Sequence, residues 1–248
     1  MYDAPRFLPA GDQALVIELG GEIDLEVNRR VRDLAHSIET ADVLGVVDLV
    51  PTYRSLLVQY DARRTSISDL ERVLSELVGA TERTSLPAAR VVNIPTLYGG
   101  DYGPDLPEVA ERTGMSAEEV IQLHSSMEYL VYMMGFTPGF PYLGGLDERL
   151  SVPRLQSPRQ QVPAGSVGIA ESQTGVYPVA SPGGWRIIGR TPLALFDHLR
   201  EPPSLLSAGD YLLFTPLGDE SEFLEVREQV ESGEYALTTT TKNGLPHS

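Results

Sequence analysis

The sequence predicts an α+β protein built in two parts, a small α/β unit followed by a strand-rich barrel or sandwich. Over the first ~95 residues, strand-type and helix-type hydrophobic patterns alternate in the order β-α-β-β-α-β. From Gly135 to Pro192, ten glycines and eight prolines fall within 58 residues, so strands there must be short and closely turned. Valine, isoleucine, leucine and aromatic residues are spread through that block, which favours packed structure over disorder.

The elements follow in order. "QALVIELG" (Gln13–Gly20) reads as a strand. "DLEVNRRVRDLAHSIET" (Asp24–Thr40) places Leu25, Val27, Val31, Leu34, Ala35 and Ile38 near helical spacing, with His36 as a solvated or half-buried helix residue. "GVVDLVP" and "RSLLVQYD", parted by Thr52 and Tyr53, read as a close strand pair. "SISDLERVLSELVG" (Ser66–Gly79) reads as a helix with Ser66 or Ser68 as N-cap and Gly79 as its stop. "ARVVNIP" supplies a fourth strand, completing a ferredoxin-like split arrangement with helices on one face. The expected boundaries are 1–88 for this domain, 89–240 for the barrel and 241–248 for a tail. The join falls near Leu86–Ala89 or in the turns after Ile94-Pro95.

Beyond "TLYGGDYGPDLP", two short helices are expected. "DLPEVAERTG" has proline in its first turn, and Ser116-Ala117-Glu118-Glu119 forms an S-x-x-E capping box. "EYLVYMMGF" reads as a buried strand, and "VPAGSVGIA", "TGVYPVAS", "WRIIGRT", "DYLLFTPL" and "EYALTTTT" as short strands. "EVREQVESG" fits either a short helix or a charged hairpin edge.

Composition excludes several functions. The 248 residues carry a formal net charge of -16, a poor match to a phosphate backbone, so no nucleic-acid partner is expected. Cysteine is absent, which removes thiolate nucleophiles, disulfides and Cys-ligated metals. No membrane-length apolar run and no signal-peptide pattern is read, so a cytoplasmic location is expected. Lys242 is the only lysine among 19 basic residues, leaving no P-loop, no Schiff-base lysine and no well-placed biotinyl lysine. HExxH, paired histidines and EF-hand aspartates are missing, so no metal site is expected. Ser166 in "AGSVG" fails the GxSxG spacing and reads as a turn hydroxyl.

The glycine- and proline-rich block has its own charge balance. It holds five arginines (Arg149, Arg154, Arg159, Arg186, Arg190) against three acids (Asp147, Glu148, Glu171). Guanidinium beside glycine-rich backbone suits a carboxylate or phosphate, while the plainer reading is a set of surface ion pairs.

"LHSSMEYLVYMMGFTPGFPYLGGLD", "VPRLQSPRQQVPAGSVGIAESQTGVYPVASPGGWRIIGRTPLALFD" and, upstream, "GDQALVIELG", "VPTYRSLLVQYD" and "IPTLYGGDYGPDL" stand in one order. Together they resemble the family of the 5-oxoprolinase B subunit. That family has also been called allophanate hydrolase subunit 1, and it includes an inhibitor of a sporulation histidine kinase. The resemblance covers nearly the whole chain. It implies a cyclophilin-like β-barrel for the second domain and a small α/β unit for the first. It implies partners resembling the C and A subunits of 5-oxoprolinase, and ATP-dependent opening of 5-oxoproline to glutamate. Its alternatives are a histidine-kinase inhibitor and a subunit of an allophanate/urea amidohydrolase-carboxylase system. ATP, held by this chain or a partner, and its companion Mg²⁺ are the implied cofactors.

Candidate roles are assigned within these motifs. His124, Arg159 and Arg190 are the candidate catalytic residues, with Arg154 and Arg186 behind them. Each arginine reads equally as an ion pair between loops, and His124 as a helix-end histidine bonded to backbone. Gln173, Thr174, Tyr177, Gly183, Gly184 and Trp185 are candidates for binding a small polar substrate. Tyr177 and Trp185 fit barrel core or partner-facing anchors as well. The two glycines allow either close ligand approach or a positive-φ turn. Phe136, Phe140 and Tyr142 would form a pocket wall or a partner-facing surface.

Overall fold

The structure, a computed structural model, describes residues 2, 4–80 and 88–242. Residues 86 and 87 of the expected boundary and residues 243–248 of the expected tail lie outside these. The chain divides into two compact units, Met1–Ala88 and Ala89–Ser248.

The first unit contains β1 (Arg6–Pro9), β2 (Ala14–Glu18), α1 (Leu25–Thr40), β3 (Val46–Pro51), β4 (Ser55–Tyr60) and α2 (Ile67–Ala80). Its sheet is antiparallel throughout, in the order β1-β2-β4-β3. Period-two alternation sends Leu15, Ile17, Leu56 and Val58 to one face, where they meet Val27, Val31, Leu34, Ile38, Leu70 and Leu74 of the helices. Asp24 caps α1 by accepting hydrogen bonds from the Glu26 and Val27 amides at 2.9 and 3.0 Å. Ser66 caps α2 through the Asp69 amide at 3.1 Å. Gly79 does not stop that helix, which runs on to Ala80. His36 is half-buried.

The fourth strand of this unit is not "ARVVNIP". That segment is β5 (Arg90–Tyr98) and belongs to the second unit, where it pairs in parallel with β13 (Tyr211–Pro216). Its side chains are buried at Val91, Val92, Ile94, Pro95, Thr96 and Leu97, on both faces, as only a strand covered on two sides permits. The edge position beside β2 is filled instead by β1, whose four residues, RFLP, carry too short a pattern to be read from the sequence.

The second unit continues with α3 (Leu106–Thr113), α4 (Ala117–Ser125), β6 (Glu128–Met134), β7 (Pro141–Gly144), β8 (Arg159–Val162), β9 (Ser166–Ala170), β10 (Gln173–Val176), β11 (Ser181–Gly183) and β12 (Arg186–Arg190). After β13 come α5 (Glu220–Ser232) and β14 (Thr239–Thr241). "EVREQVESG" is therefore helical, and the last expected strand shrinks to three residues. The large sheet follows the path β10-β9-β12-β5-β13-β6-β7, with β14 also on β5. The end strands β10 and β7 come alongside one another without forming a ladder, giving a nearly closed barrel. The expected capping box is present: Ser116 Oγ accepts from the Glu119 amide, and Glu119 Oε2 accepts from the Ser116 amide. Gly114 ends α3 at φ 70°, the left-handed position that favours glycine. Leu106, Val109 and Val120 of these helices enter the barrel core with Val92, Ile94, Ile188 and Phe214. Among the described residues, no helix is long and apolar enough to cross a membrane.

Candidate functional site

A cavity of ≈ 310 Å³ opens beside the seam between β7 and β10. Its walls come from five short segments. Phe136 and Phe140 stand on the β6–β7 turn, Tyr142 on β7, Arg154 and Pro158 on the loop before β8, and Gln173 and Tyr177 on and just after β10. Pro182, Gly183, Gly184 and Trp185 complete it from β11 and its exit.

The aromatic residues form one cluster around Phe140. Its ring meets Phe136, Tyr142, Tyr177 and Trp185 edge to face, with centroids 5.7, 5.2, 6.1 and 6.0 Å away. Tyr177 and Trp185 meet in the same way at 6.3 Å. Such pairs each add roughly 0.5–1.5 kcal/mol beyond area burial, so together they help hold these walls in place. Phe140, Tyr177 and Trp185 are buried, whereas Phe136 is 70% exposed at the rim and adopts φ 67°. A left-handed backbone at a bulky non-glycine residue is strained. Burial raises the Tyr177 pKa, against the opposing effects of a Trp185 backbone hydrogen bond and the Arg154 and Arg159 charges. Tyr177 therefore stays a neutral phenol.

Gly183 has a steric role. A Cβ there would lie 2.4 Å from Tyr177 Oη, so glycine is what lets that ring close the pocket. At Gly184 an added Cβ would find Pro158 at an ordinary 3.6 Å. Neither residue has a positive φ, so the turn explanation for these two glycines does not apply.

The arginines separate. Arg154 lines the pocket with its side chain 54% exposed, and among the described residues its one ion pair is a loose 3.8 Å contact with Glu171. Arg159 lies behind the wall, 2.7 Å from Asp105 Oδ1, and reaches the Trp185 carbonyl at 3.4 Å. Arg186 is buried and donates to the Pro153 carbonyl and Glu108. Arg190, at the far end of β12, donates to the Ala164 carbonyl at 2.9 Å and does not line the pocket. The structure thus brings forward Arg154, ranked second on sequence, and sets Arg159 and Arg190 in structural contacts.

His124 is likewise placed away from the pocket. It is fully buried among Tyr98, Tyr129 and Phe214. Its Nδ1 lies 2.8 Å from Tyr98 Oη and its Nε2 2.8 Å from Thr174 Oγ1. Because the Thr174 hydroxyl donates to the Gly168 carbonyl, it accepts from Nε2–H, and the Tyr98 hydroxyl donates to Nδ1. This chain of bonds suits a neutral ring, and burial pushes the His124 pKa down to about 3. Thr174 is consumed in the same network and is buried away from the pocket. Ser166 is also buried, in β9.

Of the binding and wall candidates, Gln173, Tyr177, Gly183, Gly184, Trp185, Phe136, Phe140 and Tyr142 converge on the pocket. Pro158 and Pro182 were not anticipated. Asp105 was missed too, since only folding brings it to Arg159. A wider concavity of ≈ 640 Å³ lies in the first unit, beside Asp12, Gln59 and Asp61. Its Asp61 is tied to Arg63, which holds that carboxyl down at about 2. Among the described residues, no group of His, Asp or Glu could hold a metal ion.

An α+β chain with this pocket on a nearly closed barrel falls in a defined class: the family model of the carboxyltransferase domain, subdomain C and D, matches residues 5–206. A crystal structure of the protein TTHA0988 superposes at TM-score 0.74 with 41% identity over 84% of this chain, which spans 40% of that longer one. The Kluyveromyces lactis urea carboxylase structure matches 96% of this chain and 24% of its own at TM-score 0.74; at 22% identity it shows the fold alone. Within the class, the chain belongs to the family of the 5-oxoprolinase B subunit: it is 44% identical over 220 residues to the B subunit of 5-oxoprolinase from Bacillus subtilis (strain 168), covering 85% of this chain and 92% of that protein.

Proposed function

We propose that this chain is a non-autonomous subunit of an ATP-dependent 5-oxoprolinase, which opens 5-oxoproline (pyroglutamate) to glutamate together with partners of the A and C types. The 44% identity to the Bacillus subtilis B subunit, spread over 92% of that protein, carries this reading. The chemistry of the pocket supports the non-autonomous part. Hydrolysis breaks the lactam C–N bond, joins a water oxygen to the carbonyl carbon and protonates the leaving amine. That demands a base, an acid and oxyanion stabilisation. Among the described residues, the pocket is lined by aromatic, proline and glycine residues, one glutamine and one arginine, with no carboxylate or imidazole. Its contribution is to bind and orient, and the acid–base groups fall to the partners. ATP and Mg²⁺ belong to the assembled complex in this reading, and a cytoplasmic location goes with it. The pocket volume lies at the small end of the roughly 300–1,000 Å³ typical of ligand sites, as a small substrate requires.

The test is reconstitution. Co-purified with its two partners, the chain is expected to support ATP-dependent glutamate release from 5-oxoproline, and its omission to abolish that release. A complete complex without turnover would sink the reading.

A further inference from the structure

We propose that the aromatic pocket is the binding site for a small monocarboxylate with a compact ring. The ring would lie against Phe140, Tyr177 and Trp185, and the carboxylate would be taken by Arg154. Naming that ligand as 5-oxoproline rests on the oxoprolinase reading above; the ligand class rests on the pocket alone.

The argument begins with how the five arginines of Gly135–Pro192 are used. Arg149 holds Asp147 through two bonds of 2.9 and 2.8 Å, Arg159 holds Asp105, Arg186 holds Pro153 O and Glu108, and Arg190 holds Ala164 O. Among the described residues, Arg154 makes no hydrogen bond, and Glu171 at 3.8 Å is its only ion pair. It is also the arginine that lines the pocket.

Its backbone, by contrast, is fixed on both sides. The preceding carbonyl, Pro153 O, accepts from buried Arg186, and the following amide, Leu155 N–H, donates to Gly184 O at 2.7 Å in the pocket wall. A guanidinium on a pinned backbone with its donors unspent is prepared for a planar oxyanion, which it can hold with two parallel bonds.

The remaining walls select among anions. A phosphate would gain nothing from the edge-to-face aromatic cluster and would need more than one cation. A second negative charge would also lie near Glu171. A single carboxylate on a compact ring satisfies both parts of the site. It would replace Glu171 at Arg154 and exchange water for aromatic surface. Phe136, exposed and strained at the rim, stands where it can cover such a ring.

Trp185 is the only tryptophan of the chain and forms a pocket wall, so its emission reports the site directly. The full chain is titrated with 5-oxoproline, with 2-pyrrolidinone (the same ring without a carboxylate) and with inorganic phosphate. Each titration is repeated on Arg154→Gln and Arg154→Lys, and KM for 5-oxoproline is measured in the assembled complex. The expected result is a saturable change with 5-oxoproline, weakened about tenfold or more in 2-pyrrolidinone and in Arg154→Gln, with partial recovery in Arg154→Lys. In the complex, Arg154→Gln should raise KM by a similar factor with kcat little changed, which supports the site even where the chain alone is silent.

Equal responses to 5-oxoproline and 2-pyrrolidinone overturn the proposal. So does an Arg154→Gln complex with unchanged KM, which would leave the oxoprolinase reading standing. Binding at Arg154 in a complex that never turns over 5-oxoproline would do the reverse. A partner protein that shifts Trp185 emission and excludes 5-oxoproline would make the pocket a protein-docking face and overturn the assignment.

Discussion

Replacing Asp105, which does not itself line the pocket, by asparagine should loosen the Trp185 wall. Asp105 stands at the N-terminus of α3 but does not cap it with its side chain. Its carboxylate is spent elsewhere: Oδ1 accepts from Arg159 Nη2 at 2.7 Å and Oδ2 from the Ile187 amide at 2.6 Å, while its own amide donates to Ile187 O at 2.9 Å. Arg159 in turn reaches Trp185 O. An asparagine amide nitrogen would have to face either the Ile187 N–H or the guanidinium, two donors in both cases. A charge-assisted bond is worth roughly 1.5–3 kcal/mol, and breaking a buried pair costs about 3–5 kcal/mol. Arg159 keeps 32% of its side chain exposed and can recruit water, so a loss below the buried-pair range, about 2–3 kcal/mol, is expected. For a unit of this size the melting temperature would fall by about 5–10 °C. Guanidinium titration followed by Trp185 emission measures it. Arg159→Met and the double variant complete a cycle in which the two losses should fail to add. A variant within about 0.5 kcal/mol of the parent, or strict additivity, would refute the coupling of Asp105 and Arg159 behind Trp185.

Three further outcomes are expected. His124 is neutral when folded, with its pKa at about 3 against 6.5 in the unfolded chain, so only the unfolded state takes up a proton between these values. Stability is therefore full above pH 6.5 and falls as pH drops toward 3, by at most about 1.4 kcal/mol per pH unit. Urea midpoints between pH 7.5 and 4 should show this slope, and His124→Gln should flatten it. Gly183→Ala places a methyl group 2.4 Å from Tyr177 Oη, so it should cost about 1–3 kcal/mol and shift Trp185 emission as the ring is displaced. Arg190→Ala, remote from the pocket, should change KM in the complex by less than about twofold; a tenfold rise would restore it as a substrate contact.

What the sequence makes legible depends on whether the information is local. The capping box at Ser116, the helical spacing of α1 and the density of glycine and proline after Gly135 are all contained in a few neighbouring residues, and each is found in the structure. The assignment of "ARVVNIP" to the first sheet failed because a strand pattern does not name its partner. Doubly buried β5 fits a core strand of either sheet until β13, more than 100 residues later, claims it. His124 shows the same limit from the side of chemistry. A histidine at a helix end carries no sign of burial, and its neutral network is closed by Tyr98 and Thr174, 26 and 50 residues away. The arginines were legible as a group and not as individuals, because whether a guanidinium is spent or free depends on acids such as Asp105 and Glu108 that lie outside the block.

The position of the pocket follows from how the barrel closes. A fully hydrogen-bonded barrel has no edge, and opening a cavity through its wall would break ladder bonds. Here β7 and β10 approach without a ladder, and the gap is filled by side chains: Tyr142 from one edge, Gln173 from the other, with Phe140, Tyr177 and Trp185 packed between the adjoining loops. A site at this seam leaves the backbone bonds of the sheet intact. A ligand held there would lie between the two strands, so it should stabilise the closed barrel more than the unfolded chain. That linkage amounts to about 2.7 kcal/mol at a hundredfold excess over Kd. If the proposed ligand binds here, its recognition is tied to a stretch where, among the described residues, the barrel is joined by side-chain packing instead of a backbone ladder.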